Sequence, residues 1–455
     1  MMERTNRIGL VIEWSLGAVV AGFGLWALLH LYLRGYLPQP FFFEASDTWM
    51  DWFNTAWWSH DRGMYDSWGS IYPPISFVIL RLLGLPSCYQ APSAGLEIRD
   101  CDWVGVAAIH VFYVIDIVVT AIAFARIDRR TAIPRAVALT AGMPLFYGLE
   151  RGNLILIAFA CMVIAFGPVV RSARLRWLAL ALAINLKVYL VAALVAQLLR
   201  RRWRWFEGAA IATVALYLAS YAALGGGTPQ EVIENITSFS TSFASASVLD
   251  VWYPATYIPL LSLLNSTYFP ISVLVGSPVA ETGSLIVTIV VRAGQVLLLL
   301  GAAAIWVRPE AVPAHRATLF AVAFALITSE AGGYTPCLIL LFVMMERWEG
   351  WLRPAAIIMA YVLSIPAEFV LSSIPVMLQE SYFAGHRVEV QHGIGLGMFL
   401  RPGLLIIAPS LLACHTIGLV WEDIRSQQWR QRWRFRADLP LLPGLIRPQS
   451  PVQPR

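Results

Sequence analysis

Lys187 is the only lysine in the chain, every other basic residue being arginine. It stands near the middle of the apolar stretch from Trp177 to Leu199. An ammonium at that depth is costly to insert, so it calls for an anion or a polar cavity; the bland alternatives are a stem that snorkels to the nearer interface or a neighbouring carboxylate. Far upstream, Asp47 and Asp51 are spaced i,i+4, which puts both carboxylates on one helix face. Each ionised acid then opposes ionisation of the other, which suits proton abstraction near neutral pH. Either could instead be a solvated or capping acid. Arg151, in the turn Glu150-Arg151-Gly152-Asn153, and Arg401, just ahead of Pro402, offer forked donors for an anion. Arg151 could equally be held by Glu150, and Arg401 could anchor a helix at the membrane interface.

The elements that must position these groups are membrane helices. The chain is 58% hydrophobic and 13% charged, with a mean hydropathy of +0.65. Several runs approach or exceed the roughly 20 residues that cross a bilayer. The expectation is an all-α polytopic membrane helical bundle. The first run, about 11–33, is too long for a secretory signal and lacks its cleavage pattern, so it reads as a retained helix. Further helices are expected over 103–125, 133–149, 153–170, 177–199, 207–225, 283–307, 316–330, 335–346, 354–374 and 398–420.

Arginine clusters at Arg4/Arg7, Arg126/Arg129/Arg130, Arg171/Arg174/Arg176, Arg200 to Arg204, Arg308/Arg316, Arg347/Arg353 and from Arg425 on are expected in the cytoplasm. The lysine segment is the exception, because arginines flank both its ends. A straight helix there would reverse every later loop. A break near Asn185-Leu186-Lys187 keeps both ends cytoplasmic, and broken helices are tolerated where they line a protein cavity. The count becomes about eleven or twelve membrane segments. They form one domain over 1–421 with both termini cytoplasmic, followed by an Arg/Pro-rich cytoplasmic tail over 422–455. The net charge of +5 reflects these clusters, so nucleic acid is not implied.

The first outside loop, 34–102, carries Trp49, Trp52, Trp57, Trp58 and Trp68 among its acids, a composition for short interfacial helices that lie over the membrane edge as a lid. Tyr72-Pro73-Pro74 should open a short helix over 75–84, since proline is accepted in a first turn. Cys88 and Cys101 close the same loop and would be disulfide-bonded in an oxidising compartment, the alternative being two free thiols. The second outside loop, 226–282, is rich in serine, threonine and aromatics. Among the intramembrane polar residues, Asp116 and Arg292 are expected to form a buried pair. Glu330, beside Gly332-Gly333-Tyr334, suits an outward polar surface.

The order of a Ser-Asp segment, an aromatic stretch, Gly63-Met64-Tyr65-Asp66 and Tyr72-Pro73-Pro74 resembles the polyprenyl-phosphate-mannose-dependent mannosyltransferases of glycosyltransferase family 87, within the GT-C class. Arg151-Gly152-Asn153 at the head of an apolar helix is similar to that family's Gly-x-x-Asn region. Ala183-Ile184-Asn185-Leu186-Lys187 before an arginine-rich turn resembles its lysine segment. The likeness covers about 40–205 and continues more weakly to about 405. Leu190 departs from the proline common three residues after the family lysine. The Ser-Pro and histidine pattern common near Ser329-Glu330 is absent.

The resemblance implies an inverting transfer of a hexose, most simply mannose, from a polyprenyl phosphate to a glycolipid or polysaccharide-precursor acceptor on the extracytoplasmic face. Asp47, at the family's acid position, would be the catalytic base, with Asp51 as runner-up. Lys187, Arg151, Asn153 and Arg401 would hold the donor phosphate, and Tyr72, Glu330 and Tyr334 would contact sugar or acceptor. No cofactor is implied, and a divalent metal is not demanded because fixed cations can serve the phosphate. There is no glycine-rich phosphate loop for a nucleotide sugar. Asp100-Cys101-Asp102, the one Asp-x-Asp, falls on the outside. Heavy arginine and alanine use points to a bacterial plasma membrane. A transporter or lipid-linked-saccharide flippase would also suit intramembrane charges and a broken helix. A non-catalytic subunit of a polysaccharide assembly complex is the third reading.

Overall fold

The computed structural model of the chain describes residues 2–41, 44–60, 63–90, 95–246, 254–264, 272–273, 276–373, 376–391 and 393–426. Parts of the 226–282 loop and the tail beyond 426 lie outside the described residues. The fold is an all-α polytopic bundle. Helix α1 (Met2–Arg34) is followed by three short lid helices, α2 (Met50–His60), α3 (Pro74–Leu82) and α4 (Gly95–Cys101). Then come α5 (Trp103–Ile127), α6 (Ala132–Thr140), α7 (Met143–Arg151), α8 (Ile155–Phe166), α9 (Ala173–Leu186), α10 (Val191–Leu199) and α11 (Trp203–Leu224). The second loop holds α12 (Pro229–Ala246) and α13 (Ile258–Leu264), and α14 (Ser277–Val307), α15 (Ala314–Thr328), α16 (Pro336–Val343), α17 (Leu352–Ser364) and α18 (Gly397–Arg425) complete the bundle.

Among the described residues five helices are long and apolar enough to cross a membrane: α1 from Arg7, α5, α11, α14 and α18. They present large apolar side chains outward, such as Leu25, Val118, Leu218, Leu285 and Leu299. The centre is filled by shorter pieces, chiefly α8 and α16, whose side chains are nearly all buried, and α15, most of whose side chains are. A helix hydrophobic all round belongs in such a core.

Several expected helices are shorter than their apolar runs, for local reasons. The segment 133–149 is two helices, because Gly142 packs so tightly that a Cβ would lie 1.9 Å from the Ala138 carbonyl oxygen, and Pro144 then starts α7. The segment 354–374 is helical only to Ser364; Ile365 precedes Pro366 and takes an extended conformation, as pre-proline residues prefer. The chain then forms two antiparallel strand pairs, β1 (Val370–Ser373) with β4 (Gly393–Gly395), and β2 (Met377–Glu380) with β3 (Arg387–Val390). Helix α9 stops at Leu186, and Lys187 is extended at φ −138° before a 3-10 turn leads into α10. The helix breaks at the lysine.

The expected Asp116–Arg292 pair does not form. Arg292 donates to Gln295 at 3.0 Å along its own helix, while Asp116 is buried against α8 beside Ala160. The buried ion pairs lie elsewhere. Arg135 forks onto Glu13 at 2.6 and 2.7 Å and also donates to the Met344 and Glu346 carbonyls. Arg316 forks onto Glu346 at 2.6 and 2.7 Å, and His315 lies 2.7 Å from the same carboxylate. These clusters join α1, α6, α15 and the turn after α16 at the end of the bundle away from the lid.

Candidate functional site

The lid is braced before it meets the bundle. Cys88 and Cys101 are disulfide-bonded, with Cα atoms 5.8 Å apart. Next to them the buried Asp102 carboxylate accepts from Leu85 N at 3.0 Å, Gly105 N at 3.0 Å and the Tyr89 hydroxyl at 2.7 Å. One side chain thus caps α5 and pins the preceding turn. From the second loop, Asn235 donates to the Tyr65 and Ser70 carbonyls at 2.9 and 3.0 Å. Tyr65 in turn donates to the Tyr72 carbonyl at 2.9 Å.

Two turns carry the charged groups. Trp49, between the two aspartates, has φ +63°, a left-handed conformation rare for a bulky residue. Surrounding contacts hold it there: its N–H donates to the Glu150 carbonyl at 2.8 Å, and its ring meets His110, Tyr382 and Phe383 with centroids 5.2, 5.3 and 5.8 Å away. Opposite stands Gly152, also left-handed at φ +63°, where a Cβ would lie 3.0 Å from Trp49 Cα. Glycine is needed both for the turn and for the approach of the two backbones.

That approach brings residues about a hundred positions apart into one cluster. Arg151 spans both aspartates, one guanidinium nitrogen on Asp47 and the other 2.6 Å from Asp51 Oδ1. Asn153 donates to Asp51 Oδ2 at 2.6 Å while its own side-chain oxygen accepts from Ile155 N at 2.9 Å, opening α8. Lys187 Nζ is buried, 3.5 Å from the Tyr72 hydroxyl. It lies 4.9 Å from the Tyr72 ring centroid and 5.2 Å from that of Tyr334, within cation–π range of both. Asp51 acts on it electrostatically. Asp47, Asp51, Arg151, Asn153, Lys187, Tyr72 and Tyr334 therefore occupy one site.

The electrostatics separate these groups. Burial pushes the Asp47 carboxyl above the usual carboxylate range; Arg151 opposes this but does not overcome it, and Asp51 adds to the rise. Burial, with Asp51 second, also raises the Tyr72 phenol, which stays a neutral hydroxyl able to donate. The site can thus hold an acid that is readily protonated beside the Arg151 guanidinium, which stays charged.

Two of the expected residues are placed differently. Glu330 accepts from Thr256 N at 2.8 Å, Thr256 Oγ1 at 2.7 Å, Ala331 N at 3.2 Å and Gly332 N at 3.1 Å. Its carboxylate ties the 226–282 loop to the turn before α16. Arg401 lies 2.7 Å from Glu368, within the strand-bearing region.

Arg99 has no counterpart in the sequence reading. It is buried in α4, donates through Nη1 to the Ser46 carbonyl at 2.5 Å and the Thr48 carbonyl at 3.1 Å, and stacks 4.0 Å over the Tyr382 ring. It grips the backbone on either side of Asp47. From the far end of the chain, Tyr382 N donates to the Ala45 carbonyl at 3.3 Å, and Gln379 accepts from Ala45 N at 2.8 Å. The only sequence signal was a basic residue beside a loop cysteine, which has no specificity. Comparison with protein-family models, curated proteins and solved structures finds no match.

Proposed function

We propose that the protein is a membrane glycosyltransferase that moves a hexose, taken as mannose, from a polyprenyl monophosphate to a glycolipid or polysaccharide-precursor acceptor. The observation that carries the reading is the convergence of Asp47 and Asp51 with Arg151, Asn153 and Lys187 at the broken-helix end of the bundle. Such a site can supply a proton acceptor and fixed cations together.

In the reaction the acceptor hydroxyl oxygen attacks the anomeric carbon from the face opposite the phosphate. The new C–O bond forms as the bond to phosphate oxygen breaks, the hydroxyl proton passes to Asp47, and the polyprenyl phosphate leaves with the bonding pair. The anomeric centre inverts. Lys187, Arg151 and the Tyr72 hydroxyl take up the charge on the leaving phosphate. Arg151 is bound to both carboxylates, so donor phosphate and acid compete for it. A phosphate that draws Arg151 away leaves Asp47 with less cationic stabilisation and a stronger tendency to take a proton. The site would face the periplasm of a bacterial plasma membrane, with both termini cytoplasmic.

The test is transfer from radiolabelled polyprenyl-phosphate mannose in membranes holding matched amounts of wild type, Asp47→Asn, Asp51→Asn and Lys187→Ala. Transfer abolished in Asp47→Asn and retained in Asp51→Asn supports the reading and the base; retention in both removes the carboxylate mechanism. Absence of wild-type transfer across a panel of lipid-phosphate sugars would favour the transporter reading, to which the buried Lys187 at a helix break also lends itself.

A further inference from the structure

The Arg34 end of α1 and the β2–β3 hairpin enclose a cleft of about 500 Å³, lined by Leu28, Leu31, Leu33 and Arg34 on one side and Phe383 and His386 on the other. Ser381 Oγ donates to the Gly35 carbonyl and holds the hairpin against the helix end. The helix side is apolar for a surface: Leu33 is 66% exposed, and Tyr32 and, on the hairpin turn, Phe383 also lie outside the core. Exposed leucines at the end of a membrane-length helix fit acyl or isoprenoid chains rather than water.

Within this apolar frame lie two cationic or donor groups. The Arg34 guanidinium makes no hydrogen bond or ion pair among the described residues. His386 donates from Nδ1 to the Ala384 carbonyl at 2.8 Å, so its open Nε2 edge donates to an anion in the imidazolium form. No carboxylate lines the cleft. The chemistry is that of an anionic head with a long apolar tail: a guanidinium for the anion and leucines for the chain.

We propose that this cleft binds the anionic phosphomonoester head of a bilayer lipid, the phosphate between Arg34 and His386 and the chain along Leu28, Leu31 and Leu33. It is a second lipid position, separate from Lys187. Phe383 forms part of its wall and meets Trp49 at 5.8 Å between ring centroids. A lipid seated here therefore stands one aromatic layer from the Asp47–Asp51 turn.

The experiment is native mass spectrometry of the full chain in detergent, titrated with dioleoyl phosphatidic acid or dioleoyl phosphatidylcholine. Wild type should retain one phosphatidic acid with about tenfold preference, the size expected for one charge-assisted contact. Arg34→Ala should remove that preference, while Arg347→Ala, at an exposed arginine outside the cleft, should keep it. In parallel, a diazirine-tailed phosphatidic acid on wild type should label peptides covering 28–35 and 383–388, a result independent of whether any variant folds. Equal retention of the two lipids, labelling elsewhere, or displacement by excess inorganic phosphate would overturn the proposal. No sugar transfer is measured, so this outcome is separate from the success or failure of the glycosyltransferase reading.

Discussion

Replacing Arg99 tests whether the lid is a device for aiming Asp47. The guanidinium makes two hydrogen bonds to the carbonyls that flank the aspartate and a stacking contact with Tyr382. Hydrogen bonds from a charged donor are worth roughly 1.5–3 kcal/mol each. The lost pair is therefore about 3–6 kcal/mol if the 46–48 turn stays in place. The remaining bonds at Ala45 and Trp49 do not satisfy the Ser46 and Thr48 carbonyls, so in Arg99→Ala the turn should relax toward other partners. A displacement on the order of 1 Å of a catalytic group costs about a hundredfold in rate. If the protein is the proposed glycosyltransferase, the expected result is a fall in kcat of about that size with little change in donor KM. Arg99 also opposes the upward shift of Asp47, so its loss should move the acidic limb of the pH–rate profile to higher pH. Arg99→Lys keeps the charge and should restore the limb, but a single ammonium lacks the planar fork and should recover only part of kcat. The assay is transfer from the labelled lipid donor over a pH series, with thermal unfolding measured on the same preparations. If Arg99→Ala lowers the unfolding temperature while kcat and the acidic limb stay at wild-type values, Arg99 is a structural brace and the aiming argument fails.

Gly152→Ala should lower thermal stability by roughly 1–2 kcal/mol from its left-handed backbone alone, and more from the Trp49 contact; unchanged unfolding would refute the close approach. Cys88→Ser, or reduction of the wild type, should cost about 3 kcal/mol for a loop of this length, read as increased proteolysis within 34–102. Glu346→Gln should cost about 3–5 kcal/mol by leaving Arg316 buried without its counter-charge. Arg316 and His315 hold the Glu346 carboxyl well below its ordinary 4.5, against the cost of burial. Its ion-pair contribution is thus fully present above about pH 4.5 and is lost as pH falls through the lower folded value. Thermal melts of wild type and Glu346→Gln should therefore converge on acidification below pH 4.5, and a constant gap would contradict the pairing.

Much of the architecture was legible because desolvation and backbone preference act locally. Apolar runs marked the helices, Tyr72-Pro73-Pro74 marked a helix start seen at Pro74, and the break at Lys187 followed from arginines on both sides of a charged segment. Helix lengths were less legible. The tight packing of Gly142 against Ser364 and the turn at Ile365-Pro366 depend on neighbours or on one residue that hydropathy does not weigh. Asp116 and Arg292 illustrate the same limit, since opposite charges in two apolar runs say nothing about whether the helices touch.

The amino-acid sequence alone determined that this chain is a helical membrane protein with one costly buried ammonium and a lid rich in acids and tryptophan, because burial energies and proline geometry are properties of short segments. Only the tertiary structure decided which groups meet. Arg151 reaches across 104 positions to Asp47, Arg99 grips the turn that carries it, and Glu330 is taken up by Thr256 and its own turn. Those pairings depend on distances of a few ångströms between segments whose separation no local preference encodes.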